Sequence, residues 1–298
     1  MVNWHDPTVI LKDRLALIKL EHVLGGIYIW EYATSLNYEW SVVCGKRPYR
    51  WTFCVYACCR LSALAAWALL FVGLDPPGGL DCQTWDAAFY ACAYLSLASA
   101  SFIIVLRIFA IWDRSAAVTA LAATVWLASV ALNVRSISLG YSRFAPINDA
   151  CLNTHTSRAL ANAIGILVSD VVLLSLMLAG LTRTKNARMY GLWRLLFHQG
   201  VAWLALAAIA EIPTVILVSL NLNDVWNLIF QPVELLILVT GATRMYRGLT
   251  NYRTVTEFST GLSYPNIGTG KGSRPPDSNE RLRRLEEMGG SGTTVIRM

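Results

Sequence analysis

Six stretches of the chain, 52 to 74, 87 to 112, 116 to 134, 160 to 182, 195 to 219 and 225 to 243, each hold roughly 19 to 26 mostly uncharged residues, about what one helix needs to cross a bilayer. The apolar residues come in blocks rather than at the period of a half-buried helix or strand, so the blocks read as transmembrane helices. Composition agrees. Hydrophobic residues make up 55% of the chain and charged ones 15%, against about 25% charged in an ordinary soluble domain.

A net charge of +6 raises the question of nucleic-acid binding, and the placement of the basic residues answers it. They flank the apolar blocks: Lys46, Arg47 and Arg50 precede the block at 52, Arg183, Lys185, Arg188 and Arg194 lie between 182 and 195, and Arg244, Arg247 and Arg253 close the last block. The segment 75 to 86 has Asp75, Asp81 and Asp86 and no Lys or Arg. This alternation is the positive-inside pattern. It puts Trp40, Tyr49 and Trp51 at headgroup depth and leaves no soluble basic face for nucleic acid.

Residues 22 to 44 form a seventh candidate span that contains Glu31, Asn37 and Glu39. An ionised carboxylate at mid-bilayer costs about 2.5–3.5 kcal/mol on insertion scales, so this helix crosses only if its acids face other helices. If it crosses, there are seven spans with the amino terminus exoplasmic and the carboxyl terminus cytosolic; if it lies on the surface, there are six and both ends are cytosolic. Residues 1 to 21 form an amphipathic lead-in with Leu11, Leu15 and Ile18 on one face. From 248 to 298 the chain turns to Gly, Ser, Thr, Pro and charge and reads as a disordered cytosolic tail, in which "SNERLRRLEEM" has helix-forming spacing.

The stretch "YIWEYATSLNYEWSVVCGKRPYRW", together with "LRIFAIWDR" (106 to 114), "GLWRLLFHQG" (191 to 200) and "ATRMYRGLT" (242 to 250), resembles a set of basidiomycete multispanning proteins that share an N-terminal domain of unknown function. The resemblance covers roughly residues 20 to 250. It implies an all-α, seven-span, receptor-like membrane protein of fungal origin, and it implies no particular ligand or activity.

Of the seven cysteines, Cys82 and Cys151 fall in the loops that the charge pattern places outside, where disulfides persist. A Cys82 to Cys151 bridge is expected to pin the loop 135 to 159 over the third helix. Cys44, Cys54, Cys58, Cys59 and Cys92 fall in or beside spans; the first four, near the cytosolic face, read as plain buried residues rather than as palmitoylation sites.

The ionisable residues inside the spans carry the strongest functional signal. Counted from the outer helix ends at about 1.5 Å per residue, Glu31, Asp170, Glu211 and Glu234 lie about 12 to 15 Å deep. Four acids at one depth can converge, with Arg60 as their partner, in a polar pocket between spans five, six and seven that opens outward; the alternative, equally open to the sequence, is that they only bridge helices through buried hydrogen bonds. Pro213 and Pro232, each two residues from an acid, are expected to free backbone carbonyls beside the pocket. At the cytosolic end of the third span, Arg107, Asp113 and Arg114 resemble in position the acid–arginine switch of G-protein-coupled receptors, though not its Asp-Arg-Tyr order; snorkelling to headgroups explains them equally.

Nothing in the chain assembles a catalytic set, a metal-ligand spacing among His5, His22, His155 and His198, or a cofactor motif. The expectation is therefore an integral membrane protein that senses a small ligand through a mid-membrane pocket and presents the change at 183 to 194 and the tail to a cytosolic partner. The alternative is a proton- or cation-coupled transporter that uses the same carboxylates.

Overall fold

The computed structural model describes residues 7–45, 49–74, 81–112, 115–140, 142–145, 150–153, 160–183, 202–220 and 224–261. The expected lead-in and first span are one continuous helix, α1 (Pro7–Val43, 37 residues). No proline interrupts it after Pro7, and its glycine pair is accommodated: at Gly25 a side chain would collide with Phe71 and Trp67, whereas Gly26 faces open space. The helix ends on a Gly45 turn with φ +70°, a left-handed conformation that glycine adopts without steric cost.

Helix α2 (Thr52–Leu74) matches its block. Helix α3 (Cys82–Ile111) begins five residues before the expected 87, because Asp81 caps it: the Gln83 N–H donates to its Oδ1 at 3.2 Å and the Thr84 hydroxyl to its Oδ2 at 2.5 Å. These bonds hold the Asp81 carboxyl below the usual carboxylate range, with Thr84 the main cause. Helix α4 (Ala116–Leu139) runs past the expected end at 134. Beyond it, an antiparallel ribbon, β1 (Ser142–Ala145) and β2 (Ala150–Asn153), sets Phe144 opposite Cys151.

Helix α5 (Leu160–Arg183) and α6 (Ala202–Leu220) follow. The block expected to form one helix from 225 is broken: a short α7 (Asp224–Leu228) turns at 229–230 into α8 (Gln231–Gly261). Pro232 explains the restart, since a first-turn residue needs no N–H donor. Helix α8 also continues to Gly261, correcting the expectation of a disordered tail from 248; no proline stands in the way before Pro265. The segment "SNERLRRLEEM" lies outside the described residues.

α3 packs against α2, α4 and α5, and α1 lies along α2. Indole N–H groups fasten neighbouring helices at both ends and in the middle: Trp85 to the Leu69 carbonyl at 2.8 Å, Trp126 to Ala98 at 2.9 Å and Trp112 to Leu176 at 3.0 Å. One apolar cluster joins Leu24 and Tyr28 of α1 to Ala63 and Trp67 of α2 and to Leu235, Leu238 and Val239 of α8. A second joins Ile104 and Ile108 of α3, Leu173 and Met177 of α5 and Met245 of α8.

Five segments are long and apolar enough to cross a membrane: α2, α3, α4, α5 and the Val225–Thr250 segment. Large apolar side chains such as Trp30, Leu127, Val168 and Ile209 point outward. In water such a surface would aggregate; in a bilayer it is solvated by lipid. The protein is an integral membrane helical bundle.

Candidate functional site

The ionisable residues expected to converge fall into three groups. Arg60, at 4% exposure, serves α1 rather than the acids of α5, α6 and α8. It pairs with Glu39 Oε1 at 2.7 Å and donates to the Ser35 hydroxyl, to the Tyr56 oxygen at 2.8 Å and to the Tyr32 carbonyl at 2.9 Å. Its guanidinium also stands 4.2 Å from the centre of the Tyr32 ring, within cation–π range. The correction has a simple cause: Tyr56 and Arg60, one helical turn apart on α2, face the stripe of Glu31, Ser35 and Glu39 that recurs every four residues on α1.

Glu31 is likewise drawn away from the other acids. It accepts from both Arg244 and Arg247 of α8, the latter at 2.6 Å. These arginines follow Glu234 by ten and thirteen residues, about 15 and 20 Å along the helix axis.

Asp170, Glu211 and Glu234 do come together, at 4%, 2% and 7% exposure. The three carboxyl groups lie close enough to interact electrostatically, Glu211 with both Glu234 and Asp170, and Asp170 with Glu234. No cation among the described residues pairs with any of the three, and no donor from another described residue reaches either Glu211 oxygen or Asp170 Oδ2.

Two cavities meet at Glu234. The larger, about 220 Å³, is lined by α1, α2, α3, α5, α6, α7 and α8. Glu211, Thr214 and Glu234 contribute polar atoms, and Trp67, Trp85, Phe89, Tyr90 and Tyr94 contribute aromatic walls. The Thr214 hydroxyl and Asn162 Oδ1 are buried without partners among the described residues. The smaller cavity, about 10 Å³, touches Ser101, Ser129, Asn133, Asp170 and Glu234 and is the size of about one water molecule. Asn133 Oδ1 is also unpartnered there.

The prolines act differently from one another. Pro213 lies inside α6 and removes the N–H that would bond the Ile209 carbonyl, as its sequence position leads one to expect. Pro232 lies in the first turn of α8, where it frees no mid-helix carbonyl. Its effect is to place a helix N-terminus beside the larger cavity, with Glu234 in that first turn, where a carboxylate complements the helix dipole.

Arg107 reaches from α3 to the Met245 carbonyl of α8, and its Nη1 has no partner among the described residues. Asp113 and Arg114 lie outside the described residues, as does 184 to 200, so the expected switch and partner loop have no described geometry. Cys44, Cys54, Cys58, Cys59 and Cys92 are free thiols and Cys82 is not among them; the Cys151 side chain lies outside the described residues. Among the described residues no group of three or more His, Cys, Asp and Glu is arranged to hold a metal ion.

Sequence reasoning overlooked Asn133, Asn162, Thr214 and the aromatic wall of the cavity, and it named Glu39 without its partner Arg60. Asn133 and Asn162 were visible as polar side chains inside apolar blocks, the same signal that singled out the acids. Compared with protein families, curated proteins and solved structures, the chain finds no match.

Proposed function

We propose that the protein is a seven-span, receptor-like membrane protein that senses a small ligand in the larger cavity, with Glu211 and Glu234 as its polar anchors. The observation that carries this reading is the coincidence of an apolar, aromatic-walled cavity with buried carboxylates that no cation among the described residues pairs with. Pockets of this chemistry, mostly apolar with a few convergent polar groups, are where small molecules bind.

Seven spans are favoured by α1. Its early residues Arg14 and Glu21 line the same cavity as the end of α2 and the start of α3, and its late residues Tyr38 and Glu39 meet the start of α2. α1 therefore runs antiparallel to α2 along its length, which fits an exoplasmic amino terminus and a cytosolic carboxyl terminus. The resemblance to basidiomycete multispanning proteins belongs to the same proposal. So does a Cys82 to Cys151 bridge, supported by the absence of Cys82 from the free thiols and by the packing of β1 on α3.

The second reading, a proton- or cation-coupled transporter, is favoured by the smaller cavity and by the broken helix. Asp170, Glu234 and Asn133 around a water-sized space form a set of hard oxygen atoms, and discontinuous helices beside buried carboxylates recur in ion-coupled transport.

Reconstitution into sealed proteoliposomes separates the readings. The receptor reading expects no proton or sodium flux in wild type beyond that of empty vesicles. Flux that disappears in Glu211→Gln or Glu234→Gln would establish the transporter and overturn the receptor.

A further inference from the structure

We infer that the larger cavity selects a small organic cation, a protonated amine carried on an apolar or aromatic body. The inference rests on the reading of that cavity as a ligand site and adds the chemical class of the ligand.

Charge is the first argument. The described residues lining the cavity include four acids, Glu21, Asp86, Glu211 and Glu234, and one base, Arg14. Arg14 and Glu21 interact with each other and Asp86 has a partner of its own, which leaves Glu211 and Glu234 as the lining acids with no cation paired to them among the described residues. Deeper in, Glu211 and Glu234 are both buried, and neither Glu211 oxygen has a hydrogen-bond partner among the described residues. A buried carboxylate is stabilised only when it is paired and hydrogen-bonded, and one monovalent cation with N–H donors would pair with the carboxylates and satisfy the idle Glu211 oxygens.

The second argument concerns the rest of the wall. The Trp85 and Phe89 rings stack at 5.9 Å and the Tyr90 and Tyr94 rings at 5.6 Å, and aromatic faces attract cations as well as apolar groups. The Thr214 hydroxyl and the Asn162 carbonyl oxygen, without partners among the described residues, offer further acceptors for an ammonium, which has only donors. An anionic ligand is opposed by the acids, and the one feature that would attract it, the N-terminus of α8, already has Glu234 in its first turn.

The test uses the full-length protein in phosphatidylcholine nanodiscs and three probes of similar shape: 2-phenylethylamine, neutral 2-phenylethanol and anionic 3-phenylpropanoate. Thermal unfolding and saturation-transfer NMR read binding. The expected result is that the amine raises Tm at concentrations at least tenfold below those at which the alcohol does, that the carboxylate has no effect, and that Glu211→Gln abolishes the preference for the amine. Thr214→Val, which keeps side-chain shape, should weaken the amine severalfold while leaving Tm without probe close to wild type. Equal binding of alcohol and amine, with competition between them, would overturn the cation preference and leave the cavity a ligand site. If none of the probes binds, or if binding is unaltered in both variants, the ligand-site reading falls as well.

Discussion

Arg60 of α2 and Glu39 of α1 form an ion pair of 2.7 Å in the interior of the bundle. Both are needed there. Removing one partner of a buried pair leaves an uncompensated charge and costs about 3–5 kcal/mol. Arg60→Ala is accordingly expected to destabilise the protein by about that amount, and Arg60→Met with Glu39→Leu by less than the sum of the single changes. Chemical unfolding in a double-mutant cycle measures this; additive effects would show that the pair is not coupled.

The two arginines on Glu31 are not equivalent. Arg244 is 50% exposed and Arg247 17%, so solvent screens the first much more than the second. Arg247→Ala should lower stability by more than Arg244→Ala, for which about 1 kcal/mol or less is expected. The order of the two unfolding midpoints is the readout, and a reversed order would contradict the packing of α1 on α8.

Neighbouring glycines give a steric control. Gly25→Val forces side-chain atoms into Phe71 and Trp67, while Gly26→Val meets open space. Overpacking costs about 1–3 kcal/mol, so the first variant should melt well below the second. Equal melting of the two would show that α1 does not lie on α2 as described.

At the start of α3 the stabilising carboxylate is Asp81. Its folded-state pKa is depressed by the Thr84 and Gln83 bonds, so its contribution is present above the unfolded aspartate pKa and is lost as pH falls through the lower folded value. Hydrogen exchange at the Gln83 amide should accelerate relative to its intrinsic rate over that acidic window. Asp81→Ala should show the fast, pH-insensitive relative rate throughout.

Alkylation under denaturing, non-reducing conditions tests the proposed bridge. Mass spectrometry should find five of the seven cysteines modified, and Cys82→Ser and Cys151→Ser should each free the other thiol. Seven modified cysteines in wild type would rule the bridge out.

The helical membrane bundle was legible in the lengths of the apolar blocks, because bilayer thickness sets the length of a crossing helix. Depth counting also brought Asp170, Glu211 and Glu234 to one level, and they do meet. Depth says nothing of azimuth, however. Glu31 and Arg60 have partners of their own because each faces a different neighbour around its helix axis, and a single sequence encodes that rotation only through faint stripes such as Glu31, Ser35 and Glu39. The break before α8 escaped notice because Pro232 reads equally as a mid-helix kink or as a first-turn residue; the turn at 229–230 that separates α7 from α8 distinguishes the two.

The account depends most on α1 crossing the membrane, since that helix forms one wall of the cavity and sets the outward direction of the pocket. A small epitope at residue 1, probed in sealed, oriented vesicles with a carboxyl-terminal tag as the cytosolic control, tests it directly. The account predicts an exoplasmic amino terminus and a protected carboxyl terminus. Finding both ends on the cytosolic side would contradict it, leaving a six-span protein without the α1 wall of the pocket.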